Sequence, residues 1–134
     1  METNNIKKAK TLFKIALKFK KSGQFSKSRN YANRALGFQP SLGSAYLLIA
    51  NLYASSANNC GNSQFDKRAV YWLAAQQARK AAKVDASIRK TANKTAVSYE
   101  GRAPSKTDIF TEGRAGETIS VKCWIGKNVT VPTL

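Results

Sequence analysis

Two stretches of this sequence repeat one alternation of large and small residues over about the length of a helical hairpin. In the first, Leu12, Ile15, Ala16 and Phe19 precede Gly23, Phe25, Ser28, Ala32, Ala35 and Pro40. In the second, Tyr46, Ile49, Ala50 and Tyr53 precede, after a longer interval, Tyr71, Ala74, Ala78, Ala81 and a turn at Asp85-Ala86. The residues from Tyr46 to Tyr53 stand at i, i+3, i+4 and i+7, a spacing that puts them on one side of an α-helix. The small residues fall where a second helix has to come close. Helix-turn-helix units of roughly 34 residues stack into an array, which builds a groove for another chain rather than a reaction centre.

The pattern predicts five helices. The first starts at Asn4 or Asn5 as cap and runs to about Ser22, where Gly23 stops it. Its apolar side is Leu12, Ile15, Ala16 and Phe19; the opposite side is a stripe of Lys7, Lys10, Lys14, Lys18 and Lys21. The second begins at Ser26 and ends at Gln39-Pro40-Ser41, and the third spans residues 44–57. A polar loop at about residues 55–63, rich in Asn and Gly and containing Cys60, interrupts the repeat. A long helix over 64–84 and a fifth over 87–99 follow, with Gly101 to Pro104 closing the array.

The last thirty residues change character. Ser105 with Asp108 three positions on is a capping-box pattern opening a short helical turn through Phe110. Ile119, Val121, Cys123 and Ile125 alternate with Ser120, Lys122 and Trp124, and Val129 and Val131 resume the alternation after Gly126-Lys127-Asn128, which predicts a β-hairpin turning there. Two strands alone are marginal in water, so the hairpin has to pack on the helices. On its strand, Trp124 has either packing on a helix, the simpler expectation, or a partner-facing role. The fold expected is mainly α: antiparallel helical hairpins over residues 1–104, then a short helix and β-hairpin over 105–134 packed on the array.

Composition narrows the chemistry. The chain has 134 residues, enough for one domain, and a net charge of +16 with no histidine. Residues 1–40 hold ten Lys/Arg against the single acid Glu2, a local charge of +9. Such a field draws in anionic surfaces and weakens with salt. The seven acids are scattered over different elements, so no acid–base pair or metal cage is suggested, and no catalytic role, cofactor or metal is expected. Gly126-Lys127 lacks the first glycine and the Ser/Thr of a phosphate loop. No window has the eighteen apolar residues of a membrane span, and residues 1–10 are too polar for a signal-peptide core. Two cysteines, Cys60 and Cys123, leave open one disulfide or two independent thiols.

With these residues in view, the chain resembles tetratricopeptide repeat (TPR) proteins over about residues 8–100. The first unit matches through Ala16, Gly23, Phe25, Ala35 and Pro40; the second carries the Cys60 loop and has Ala86 where the family usually has proline, and the third is a lone capping helix. More narrowly, it is similar to exported TPR proteins of Bacteroidetes-type bacteria, in its Cys60-Gly61 loop, its Pro104-Ser105-Lys106 turn leading to Phe110, and its closing Cys123-Trp124-Ile125 strand. That resemblance implies that Cys60 and Cys123 pair, and that the protein lies in the periplasm or cell envelope if a leader peptide has been removed, and in the cytoplasm otherwise.

In TPR proteins the first helix of each unit lines the concave face, which here implies partner contacts from Lys10, Phe13, Leu17, Lys20, Lys21, Leu47, Asn51, Lys90 and Asn93. Apolar residues beside lysines suit a protein segment, or partner subunits, with an acidic surface. A preceding repeat or neighbouring subunit covering Phe13 and Leu17 is the plainer alternative. The expected function is therefore a non-enzymatic protein-interaction scaffold or subunit of an extracytoplasmic complex. The alternative is electrostatic binding of nucleic acid, another polyanion or an anionic membrane surface through the basic helices, although no base-reading signature is present. Burial of Leu12, Ile15 and Phe19 against Ala32 and Ala35 separates the scaffold from a lipid-inserting helix.

Overall fold

The computed structural model describes residues 3–134. Six α-helices and a two-stranded antiparallel sheet follow one another: α1 (Thr3–Lys21), α2 (Phe25–Phe38), α3 (Gly43–Ser55), α4 (Gln64–Val84), α5 (Arg89–Arg102), α6 (Lys106–Glu112), β1 (Thr118–Val121) and β2 (Lys127–Thr130). Short 3-10 turns at Ala57–Asn59 and Ala86–Ile88 precede α4 and α5. No helix of the described residues is long and apolar enough to cross a membrane.

Glycine and polar caps set the helix ends. Gly23 takes φ +77°, Gln24 N–H donates to Phe19 O at 2.9 Å and Gly23 N–H to Lys20 O at 3.0 Å. That pair of bonds satisfies the last carbonyls of α1 and turns the chain into α2. Asn4 and Asn5 lie inside α1 and do not cap it. Ser105 and Asp108 form the reciprocal capping box that the sequence predicts, and Gly113, at φ +63°, closes α6.

α1 packs along α2, α3 along α4 and α4 along α5, with α2 joining the two hairpins through α3. The short turns between consecutive helices make each pair antiparallel. Small residues line the seams: Ala9, Ala16, Ala32, Ala35, Ala50, Ala74, Ala78, Ala81, Ala92 and Ala96 are all fully buried. With no more than a methyl group at these positions, helix backbones approach closely and larger neighbours fill the flanks. Leu12, Ile15 and Phe19 are half-buried on the α1–α2 hairpin, where the Phe19 and Tyr31 rings lie 5.3 Å apart.

Gly43, the first residue of α3, shows how tightly the turn after α4 closes on the array. A Cβ there would stand 2.6 Å from Asp85 Cβ and 2.7 Å from Ile88 Cδ1. The Gly43 N–H instead donates to Asp85 Oδ2 at 3.0 Å, while Asp85 Oδ1 accepts from Ser87 N–H at 3.1 Å. One carboxylate thus caps both α3 and the turn leading into α5.

The β-hairpin departs from its expected register. Ile119 pairs with Val129 and Val121 with Lys127, so Cys123, Trp124 and Ile125 belong to the connecting turn and not to a strand. Ile119, Val121, Ile125, Val129 and Val131 are nevertheless all buried. Gly126, at φ +60°, makes the return possible, and the turn bends Trp124 and Ile125 onto α2 and α3. These five aliphatic residues and Ile109 share one core with Ala16, Ala32, Leu48, Leu52 and Leu73.

A disulfide joins Cys60 and Cys123, with Cα atoms 5.1 Å apart, and ties the hairpin turn to the loop before α4. Three arginines add polar fastenings. Arg29 on α2 donates to Ile125 O (2.8 Å), Trp124 O (3.2 Å) and the Tyr53 hydroxyl (3.2 Å). Arg68 on α4 donates to Arg102 O, Ala103 O and Asp108. Arg114 bonds Asp66 at 2.8 Å and Glu117 at 2.7 Å, with its guanidinium 4.6 Å from the Phe65 ring centroid.

Candidate functional site

Each residue expected at a partner surface has a distinct place. Leu17 is 43% exposed, and Lys10, Lys21 and Lys90 are exposed too. Lys10, Leu17 and Lys21 share one face of α1, because they lie seven and four residues apart. Phe13 and Lys20 are half-buried, and Phe13 packs against the main core. Leu47 packs against two alanine clusters, Ala50 of α3 with Ala78 and Ala96, and Ala81, Ala82 and Ala92 of α4 and α5. Asn51 accepts a hydrogen bond from the Tyr99 hydroxyl at 2.5 Å, and Asn93 accepts from Arg79 at 3.3 Å. Leu47, Asn51 and Asn93 are thus engaged within the molecule, Lys90 stands exposed on α5, and the largest freely presented part of the set is the α1 face with Lys10, Leu17 and Lys21.

The charge is sorted more sharply than the composition implies. Residues 3–65 contain no Asp or Glu. The ion pairs of the described residues all lie beyond residue 65: Arg68–Asp108, Arg79–Glu100, and Arg114 with Asp66 and Glu117. The ten Lys/Arg of α1 and α2 have no acidic partner among the described residues. Several instead lie over rings: Lys8 is 5.3 Å from the Phe38 centroid, Arg34 4.9 Å from Tyr31 and Lys27 5.7 Å from Phe19.

The acids are held in structural roles. Hydrogen bonds from Ser105, first its N–H and then its hydroxyl, together with Arg68, hold the Asp108 carboxyl below its ordinary range. Arg114 does the same for Glu117, and the bond to Glu117 is the largest contribution raising Arg114 above its usual value. Burial raises the Tyr99 phenol.

A second feature has no counterpart in the sequence reading. Between α2 and α4, over a floor from α3 and closed at one end by the hairpin turn, lies a cleft of about 490 Å³. Arg29, Lys80 and Lys127 line it with Asn30, Asn33 and Gln77, and Leu36, Tyr46, Ile49, Tyr53 and Ile125 form its apolar part. No acid lines it. The residues come from three helices, the hairpin turn and the first residue of β2, so no local motif announces them.

Trp124 packs into the molecule. Its indole N–H donates to the Ser56 hydroxyl at 2.9 Å, and its ring lies 5.7 Å from Tyr53, 6.0 Å from Phe25 and 4.9 Å from the Arg29 guanidinium. These partners fix the hairpin against α2 and α3.

No family model, curated protein or solved structure matches the chain.

Proposed function

We propose that the chain is a protein-interaction module of the TPR kind, an extracytoplasmic scaffold or complex subunit whose partner carries an acidic and partly apolar surface. The observation that carries this reading is the α1–α2 hairpin: ten basic residues without acidic partners among the described residues, beside an exposed Leu17 on the face of Lys10 and Lys21. An apolar contact supplies affinity and the surrounding lysines supply steering and orientation. The pairing of helical hairpins through alanine seams supports the repeat reading, because such arrays act through extended surfaces. The Cys60–Cys123 disulfide supports an oxidising compartment outside the cytoplasm.

The same unpaired cations favour a second reading, electrostatic binding of nucleic acid or another polyanion. Insertion of α1 into lipid is disfavoured by its seam with α2, where Ala32 and Ala35 are fully buried and Leu12, Ile15 and Phe19 are half-buried. Capture of partners by the parent chain and by a Leu17→Ala/Lys10→Glu/Lys21→Glu variant tests the first reading. Titration with unrelated DNA and RNA at physiological salt tests the second.

A further inference from the structure

The cleft between α2, α3, α4 and the hairpin turn combines three features that point to one ligand chemistry. First, Arg29, Lys80 and Lys127 face a shared volume of about 490 Å³ that no carboxylate lines. Three like charges around a partly enclosed space repel one another, and a bound anion relieves that repulsion. Second, Arg29 is already oriented. It spends N–H groups on Ile125 O, Trp124 O and the Tyr53 hydroxyl, and of its five donors two remain for another acceptor. A guanidinium fixed in this way loses little freedom on binding a further oxygen.

The third feature is Gln77. The residue is 9% exposed and lines the cleft, and its amide has no hydrogen-bond partner among the described residues. No buried side-chain N or O atom of the described residues lacks a partner, so the amide is open to the cleft, where a ligand group can take the place of water as its partner. Tyr46 and Ile49 beside it provide an apolar surface for the rest of a ligand.

We infer that this cleft binds an oxyanionic group, a carboxylate or phosphate, on a body small enough to lie over Tyr46 and Ile49, with Arg29, Lys80 and Lys127 supplying charge and Gln77 a neutral hydrogen bond. The site is separate from the α1 face and does not depend on the scaffold reading. Carboxylate oxygens come from an acidic side chain of a bound protein segment, phosphate oxygens from a free small anion.

The test is an amide NMR titration of the intact, oxidised protein at fixed ionic strength, with inorganic phosphate in one arm and N-acetyl-glutamate N-methylamide in the other, and the uncharged glutamine analogue as control. The Lys80→Gln/Lys127→Gln variant is measured in parallel; both lysines are exposed, so the fold is retained and the spectrum reports it. Saturable shifts of the Gln77 side-chain amide and the Lys127 backbone amide, absent with the glutamine analogue and weakened at least about tenfold in the variant, support the site. Saturation by phosphate alone assigns it to free anions, and saturation by the glutamate compound assigns it to acidic side chains. Shifts scattered over the α1 lysines with none at Gln77, equal affinity in the variant, or no saturable shift with either probe overturns the inference.

Discussion

Arg29, in the second helix, donates from Nη1 to the carbonyl oxygen of Ile125 at 2.8 Å, across 96 residues of chain. Its second nitrogen, Nη2, donates to Trp124 O at 3.2 Å, and the guanidinium stacks 4.9 Å from the Trp124 ring centroid. One planar, permanently charged group therefore reads two successive carbonyls of a turn and covers the indole between them. A lysine could satisfy the charge but not this geometry.

Arg29→Lys should accordingly loosen the hairpin turn while leaving the helices in place. Hydrogen bonds from a charged group are worth about 1.5–3 kcal/mol each when removed, so a loss of about 2 kcal/mol is expected after partial replacement by the ammonium. Urea unfolding in a Trp72→Phe background, where Trp124 is the reporting indole, measures it. An unchanged midpoint with unchanged Trp124 emission would contradict the role given to Arg29.

The disulfide closes a loop with a sequence separation of 63, and chain-entropy arguments assign such a closure about 4 kcal/mol. Reduction, or the Cys60→Ser/Cys123→Ser pair, should lower the melting temperature and release the turn and β-hairpin first. Hydrogen exchange by mass spectrometry is the direct readout: peptides covering 118–131 should lose protection before those of α3 and α4. Simultaneous loss across all helices would show instead that the bridge holds the whole array.

Gly43→Ala tests the close approach of α3 to the turn after α4. The added methyl would meet Asp85 Cβ at 2.6 Å, so the backbones have to part, at a cost of about 1–3 kcal/mol despite alanine's higher helix propensity. Stabilisation of the protein by this substitution would refute the contact.

Acid should weaken the fold partly through Asp85. The Ser87 hydroxyl, together with the Gly43 and Ser87 N–H groups and Arg89, holds its carboxyl below the ordinary value of 3.8 in the folded state. A depressed folded-state value means that the group contributes its stability above about pH 4 and loses it as pH falls through the lowered value. Asp85→Asn should flatten that part of the stability curve below about pH 4 and lower stability at neutral pH. Parallel acid titrations of parent and variant, with identical slopes in that window, would rule out the linkage.

The helical array was legible because its signals are local. The three-to-four-residue spacing of Tyr46, Ile49, Ala50 and Tyr53, the glycine at 23 and the Ser105/Asp108 box each act within one or two turns of chain. The pairing of Cys60 with Cys123 was legible only through a family resemblance, since two cysteines in loop and strand contexts fit free thiols equally well. The turn at Cys123–Ile125 reads as strand because its apolar residues keep a period of two in the sequence, whereas in the fold Cys123 and Trp124 are both half-buried and only Ile125 is buried there. Asp85 as a double cap and the cleft around Gln77 were not legible at all. Their partners lie 42 residues away in one case, and in three helices, the hairpin turn and β2 in the other, and only packing brings them together.

The expected partner surface divides along the same line. Helical periodicity places Lys10, Leu17 and Lys21 together regardless of what surrounds α1. Whether Leu47, Asn51 and Asn93 are free depends on how α4 and α5 pack, and those helices engage all three.

The scaffold reading meets its most direct test in quantitative capture from a nuclease-treated native cell-envelope extract at physiological salt, with the oxidised parent chain and the Leu17→Ala/Lys10→Glu/Lys21→Glu variant side by side. The account predicts a defined protein retained by the parent in stoichiometric amount, and at least about tenfold weaker retention by a variant of unchanged helix content. Equal retention by the two chains would contradict the α1 face as the binding surface. Failure to retain any protein, with saturable submicromolar binding of unrelated nucleic acid at the same salt, would replace the scaffold by the polyanion binder.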